Sequence, residues 1–149
     1  MLQPLVDAPA WFGCVDVAQL NEAEMQQLGD DPLAAAAAAL AQGCHTLLVT
    51  LGARGAAYFV GSQDGRMGQP GAPIRSGRVA PDQSDRAPAE GGDPTGCGDV
   101  FGATVVASLL AGTPLADALQ LATRMAARNV TCRGATGLRD HLLGKLTSA

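Results

Sequence analysis

The segment Asp93-Pro94-Thr95-Gly96-Cys97-Gly98-Asp99 runs straight into the apolar stretch Val100-Phe101-Gly102-Ala103-Thr104-Val105-Val106-Ala107. Two glycines and an acid therefore stand at the mouth of a helical pattern. A helix N-terminus carries unpaired backbone N–H groups and the positive end of a dipole, so it attracts an anion such as phosphate. Glycine lets the backbone curl close to that anion. An aspartate in the same place repels phosphate, and its presence suits a group that takes a proton from an attacking hydroxyl. A loop that holds a phosphoryl group beside a base points to a kinase. The plainer alternative is an ordinary helix cap, with Asp99 accepting hydrogen bonds from its own helix.

Two further motifs bear on that choice. Thr50-Leu51-Gly52-Ala53-Arg54-Gly55 makes a turn at the carboxyl end of an apolar run, where ligands gather in open α/β sheets. Its glycines allow backbone to lie along a nucleotide, Thr50 offers a hydroxyl and Arg54 a phosphate partner. A hairpin turn joining two strands accounts for the same residues. In Asn21-Glu22-Ala23-Glu24, Asn21 and Glu24 stand three apart at a helix start and face the same way. Their amide oxygen and carboxylate suit Mg²⁺ held through its water shell, and the spacing equally fits a capping box with Asn in place of Ser.

Positioning these motifs takes alternating strands and helices. Residues 15–20 alternate apolar and polar as a short strand does, and Asn21 caps a helix reaching about Leu28. Asp30-Asp31-Pro32 starts an alanine-rich helix over 33–42 that Gly43 ends. Residues 46–50 and 56–60 read as strands, the first of the kind buried in parallel sheets. Residues 61–92, rich in Gly, Pro, Ser, Asp and Arg, read as a long irregular connection with one short strand near 74–79 and a mobile tip at 81–89. A buried helix is expected over 99–111, broken at Gly112-Thr113-Pro114. The next runs to about Thr131, with Leu115, Ala118, Leu119, Ala122, Met125, Ala126 and Val130 on one face. A last short helix is expected over 140–146.

At 149 residues the chain suits one domain, 1–149, with a real core. Apolar residues make up 47% and charged residues 16%, which excludes a disordered chain. A net charge of −4 with scattered arginines argues against a nucleic-acid partner, which needs a concentrated basic face. No apolar run is long enough to span a bilayer, so no membrane partner is expected. Cys14, Cys44, Cys97 and Cys132 form no CxxC pair, and no secretory signal opens the chain, so they read as reduced thiols of a cytoplasmic protein. His45 and His141 have no second ligand nearby and read as structural or solvated. Trp11 and Phe12 read as core, or as a seam for another part of the fold.

The three motifs, in this order, resemble those of the ribokinase/PfkB family of ATP-dependent carbohydrate and nucleoside kinases: an N-x-x-E, a T-L-G-x-x-G, then a D-T-x-G-x-G-D opening a helix. The resemblance covers roughly 16–137 and is to the C-terminal half of the family. It implies part of a ribokinase-like, Rossmann-like three-layer α/β/α sandwich, the nucleotide-binding half, without the substrate lid. It implies an ATP-dependent phosphotransferase acting on a sugar, sugar phosphate or nucleoside hydroxyl. By the same resemblance Asp99 is the base, and the backbone of Gly96, Cys97 and Gly98 forms the anion hole. Thr50, Gly52, Gly55 and Arg54 contact ATP, as does Asn21, and Thr123 with Ala127 flanks the adenine. Glu24 and Asn21 serve Mg²⁺. Asp93, Thr95 and the carbonyls around Asn129, Cys132 and Gly134 match positions that hold a monovalent cation such as K⁺ in many members.

Pro94 and Cys97 depart from the family's usual residues without disturbing the turn, and the 61–92 connection is longer than usual. The family's N-terminal half, with its di-glycine motif, substrate aspartate and lid, has no counterpart here. Without it a partial sheet keeps an unpaired edge, so self-association, marginal stability or a partner chain completing the sheet is expected. The other readings are a catalytically inactive ATP-binding or regulatory module needing a second chain, and a non-enzymatic α/β interaction domain.

Overall fold

Val17–Asn21 (β1) and Thr46–Thr50 (β2) pair in parallel, with Val17 opposite Thr46 and Asn21 opposite Thr50. Parallel strands need a crossover between them. Here it is two helices, Glu22–Leu28 (α1) and Pro32–Ala41 (α2). α2 is helical by composition, since alanine loses least on entering a helix. Its start is fixed by Asp31, whose carboxylate accepts from the N–H groups of Leu33 and Ala34, with Pro32 in the first turn.

The computed structural model describes residues 11–61, 73–81, 92–132 and 137–145. They fall into two compact units, one drawn from 1–51 and 57–78, the other from 52–56 and 79–149. In the first, a four-stranded sheet has the order β1-β2-β3-β4, where β3 is Ala56–Val60 and β4 is Arg75–Val79. β2 and β3 are neighbours joined by the short connection 51–55. A parallel crossover takes roughly a dozen residues or more, so this pair runs antiparallel. The bond from Gly61 N–H, just past β3, to His45 O, just before β2, agrees. Tyr58 of β3 lies over Gly77 of β4, where a Cβ would collide with the phenol.

The core of this unit lies between the sheet and the two helices. Leu47 and Val49 of β2 meet Met25, Ala35, Ala36, Ala39 and Leu40, with Phe12 and Phe59. Alternation sends Leu48 to the other face, and it too is buried, so β2 is covered on both sides. Each such leucine contributes about 1.5–3 kcal/mol relative to exposure. Phe12 thus belongs to the core, whereas Trp11 is 60% exposed. β1, at the sheet edge, is only half-buried.

The second unit rests on Cys97–Leu110 (α3) packed along Leu115–Val130 (α4). α3 buries Phe101, Val105 and Ser108, and α4 buries Ala118, Leu119, Ala122, Thr123 and Asn129. These follow the i, i+4, i+7 spacing of a helix face. α3 is apolar on its other side as well, where Val106 and Leu110 are exposed. It begins two residues before the expected Asp99 because the first turn needs no intrahelical donors and so tolerates Gly98. The last helix, Gly137–Leu142 (α5), starts three residues earlier than the expected 140 and ends sooner, at a turn with Lys145 N–H donated to Asp140 O. Most of the 61–92 connection, including nearly all of the tip expected at 81–89, lies outside the described residues, and the short strand expected within it is β4. Among the described residues no helix is long and apolar enough to cross a membrane.

All four cysteines are unbridged thiols. Cys44 is buried at the start of β2 with Sγ donating to Thr46 O at 3.2 Å, and burial pushes its thiol above the ordinary value. Only the thiolate attacks an alkylating agent. Iodoacetamide at mildly alkaline pH should therefore label exposed Cys14 in the native chain and spare Cys44 until urea unfolds it. Peptide mass mapping reads the result, and equal native labelling of both would contradict this core.

Candidate functional site

In the first unit the parallel register brings two of the sequence motifs together. Asn21, at the end of β1, lies opposite Thr50, at the end of β2, and Thr50 Oγ1 donates to Leu20 O at 3.4 Å. Both stand at the carboxyl ends of parallel strands, the usual place for ligands in such sheets. Asn21 is also the N-cap of α1. Its Oδ1 accepts from Glu24 N–H at 2.9 Å, and Glu24 Oε2 accepts from Asn21 N–H at 2.8 Å. The capping box is thus formed. It occupies one oxygen of each side chain, and Glu24 keeps its second carboxylate oxygen.

The glycine turn after β2 is a single 3-10 turn, Gly52–Arg54, closed by Gly55 N–H donating to Gly52 O. Gly55 has φ +88, and a Cβ there would strike the carbonyl of Val79. Only glycine fits both demands. Arg54 is exposed.

In the second unit the segment before α3 is laid against the last turn of α4. Asp93 N–H donates to Val130 O at 2.9 Å, and Asp93 Oδ1 accepts from Thr95 N–H at 2.9 Å. Asn129 Nδ2 donates to Thr95 O at 2.9 Å and approaches Cys97 Sγ at 3.4 Å, while Cys97 Sγ lies 3.4 Å from Ala126 O. Gly96, with φ 79, is the N-cap of α3 and brings no side-chain oxygen to it. Asp99 sits exposed in the first turn, and no hydrogen bond ties its carboxylate to another described residue. The ordinary cap considered for Asp99 is therefore not formed. Of the backbone donors expected to bind an anion, the Cys97 N–H is given to Pro94 O at 3.1 Å.

The remaining sequence-derived residues are placed as follows. Thr123 is buried on α4, its hydroxyl without a partner among the described residues. Cys132 follows α4, with its N–H donated to Asn129 O, so Asp93, Thr95, Asn129 and Cys132 do share one neighbourhood. Gly134 lies outside the described residues. No cluster of three or more His, Cys, Asp or Glu suited to a metal occurs among the described residues. Sequence reasoning used only the carbonyl of Asn129 and missed its side chain. The signal was there: an amide on the buried stripe of α4, which must find partners.

Residues 2–141 match the family model described as pfkB family carbohydrate kinase. No curated protein matches. Among solved structures, an E. coli ribokinase II in complex with ATP and Mg²⁺ is 27% identical with a TM-score of 0.69, over 91% of this chain and 40% of that one. Arabidopsis thaliana ribokinase with ribose and ATP is 23% identical, TM-score 0.67, over 93% and 43%. Aminoimidazole riboside kinase from Salmonella enterica, with aminoimidazole riboside and an ATP analogue, is 24% identical, TM-score 0.64, over 92% and 44%. The chain thus has part of the ribokinase-type α/β fold and spans about two fifths of the length of these kinases.

Gly55→Ala tests the turn. With a left-handed φ and a carbonyl in the way, the substitution should cost about 1–3 kcal/mol, read as a lower urea midpoint at unchanged slope. An unaltered midpoint would mean that the turn is not held against Val79.

Proposed function

The chain belongs to the pfkB family of carbohydrate kinases, and on that footing we propose that it is an ATP-dependent phosphotransferase whose acceptor is a hydroxyl of a sugar, sugar phosphate or nucleoside. The observation that supports this most is the start of α3. An exposed carboxylate, Asp99, stands in the first turn of a helix whose N-cap is a left-handed glycine. Asp99 takes the proton of the acceptor hydroxyl as its oxygen bonds to the γ-phosphorus and the bond to the bridging oxygen of ADP breaks. The backbone of Gly96, Cys97 and Gly98 and the dipole of α3 stabilise the charge on the phosphoryl in transfer. The Cys97 N–H shares or exchanges its bond to Pro94 O when the anion arrives.

Thr50, Gly52, Arg54 and Gly55 are proposed to contact ATP, with Thr123 toward the base. Mg²⁺ offsets phosphate charge when bound. The free carboxylate oxygen of Glu24 suits a water of its shell, with Asn21 beside it, because Mg²⁺ keeps most of its waters. Asp93, Thr95, Asn129, Cys132 and Gly134 are the proposed surroundings of a monovalent cation such as K⁺. Residues 1–149 are proposed to act within one pfkB-type kinase domain, with the cytoplasm as the proposed location.

A second reading is favoured by β1, which ends the sheet half-buried. It is an ATP-binding module without turnover, needing a second chain or copy to add a strand there. Asp99→Asn separates the two. A kinase loses about 10²–10⁴ in phosphotransfer rate and still binds MgATP by calorimetry. A wild-type chain that binds MgATP but transfers phosphate to no sugar or nucleoside is the module. Glu24→Gln serves as a companion. Glutamine keeps the capping box, so the melting temperature should hold while the Mg²⁺ needed for half-maximal nucleotide binding rises. An unmoved Mg²⁺ requirement would take Glu24 out of the metal's surroundings.

A further inference from the structure

Asn129 is fully buried and yet polar, and its amide is spent on one segment. Nδ2 donates to Thr95 O at 2.9 Å, across 34 residues of sequence, and touches Cys97 Sγ. These two residues flank Gly96, the left-handed residue that turns the chain into α3. Oδ1 of the same amide is buried with no partner among the described residues. An unpaired buried carbonyl costs roughly 1–3 kcal/mol, so a leucine of similar branched shape would pack here at less expense. Packing therefore does not explain the residue. The orientation is fixed by chemistry, since only the NH₂ end can donate to the Thr95 carbonyl.

We propose that Asn129 is a positioning residue for phosphoryl binding: it holds the Thr95 carbonyl so that the turn at Gly96 aims the first N–H groups of α3 at the terminal phosphate of the nucleotide. This rests on the anion-hole role given above to Gly96, Cys97 and Gly98. Two further contacts assist it on either side, the backbone bond Asp93 N–H to Val130 O and the thiol contact Cys97 Sγ to Ala126 O. Neither acts on the Thr95 carbonyl. Without the Asn129 donor that carbonyl turns to solvent, and the left-handed turn loses its tie to α4.

The experiment compares the full chain with Asn129→Leu by amide hydrogen exchange in NMR and by calorimetric binding of MgATP and MgADP. The expected result is amide exchange at Thr95, Cys97 and Gly98 about tenfold faster in the variant at a similar melting temperature. The preference for MgATP over MgADP should fall about tenfold, with MgADP affinity unchanged. Faster exchange with that preference intact would make Asn129 merely structural and overturn the proposal, as would unchanged exchange. If the variant does not fold, the wild-type chain decides. Its Asn129 side-chain NH₂ should be protected from exchange and show a coupling across the hydrogen bond to the Thr95 carbonyl carbon, and absence of both overturns the proposal. A wild-type chain that binds neither nucleotide would instead remove the kinase function, leaving the exchange result to decide whether Asn129 holds the turn.

Discussion

Backbone groups at the ends of helices must find partners outside the helix, and that constraint organises both units. α1 meets it with Asn21 and Glu24, α2 with Asp31. α3 meets it differently: its N-cap is glycine, and its leading segment is instead anchored by the far end of α4. Two helix starts are closed by their own side chains, and the third has its donors set by a neighbouring helix. A carboxylate in that third start is tolerable because Asp99 is exposed and favoured by the helix dipole.

Much of this was legible before any coordinates. The runs 46–50 and 56–60 are strands with those bounds, because β-branched and apolar residues there are bracketed by glycine turns. The start of α2 was written in Asp31-Pro32, and the capping box in the spacing of Asn21 and Glu24. Less legible was the start of α3, where two glycines lower helix propensity although the position, not the propensity, decides. The end of α5 was also missed, since 140–146 has helical composition but the chain turns at Gly144. The pairing of Asn21 with Thr50 could not be read at all, because register depends on which faces bury, a property of the whole sheet.

The two units draw on different physics. The first is built on apolar burial around β2, with Leu47 and Leu48 covered on opposite faces. The second unit is built on one helix pair, and the segment leading into α3 is held by a few polar contacts at the end of α4. Its precision is directional where the first unit's is volumetric. A small loss of volume in the first weakens the whole sheet, whereas a lost donor in the second misdirects a single turn.

The register of β1 on β2 has a consequence for how sequences of this kind can drift. Between Asn21 and Thr46 the chain is a helical excursion that leaves the sheet and returns, so residues gained or lost in its connecting turns change its length and leave the strand ends aligned. A single residue gained inside either strand would do otherwise. It would slide one motif past the other by about 3.3 Å and turn it to the opposite face. Length variation is therefore free in the excursion and forbidden in ten residues of ladder, Val17–Asn21 and Thr46–Thr50.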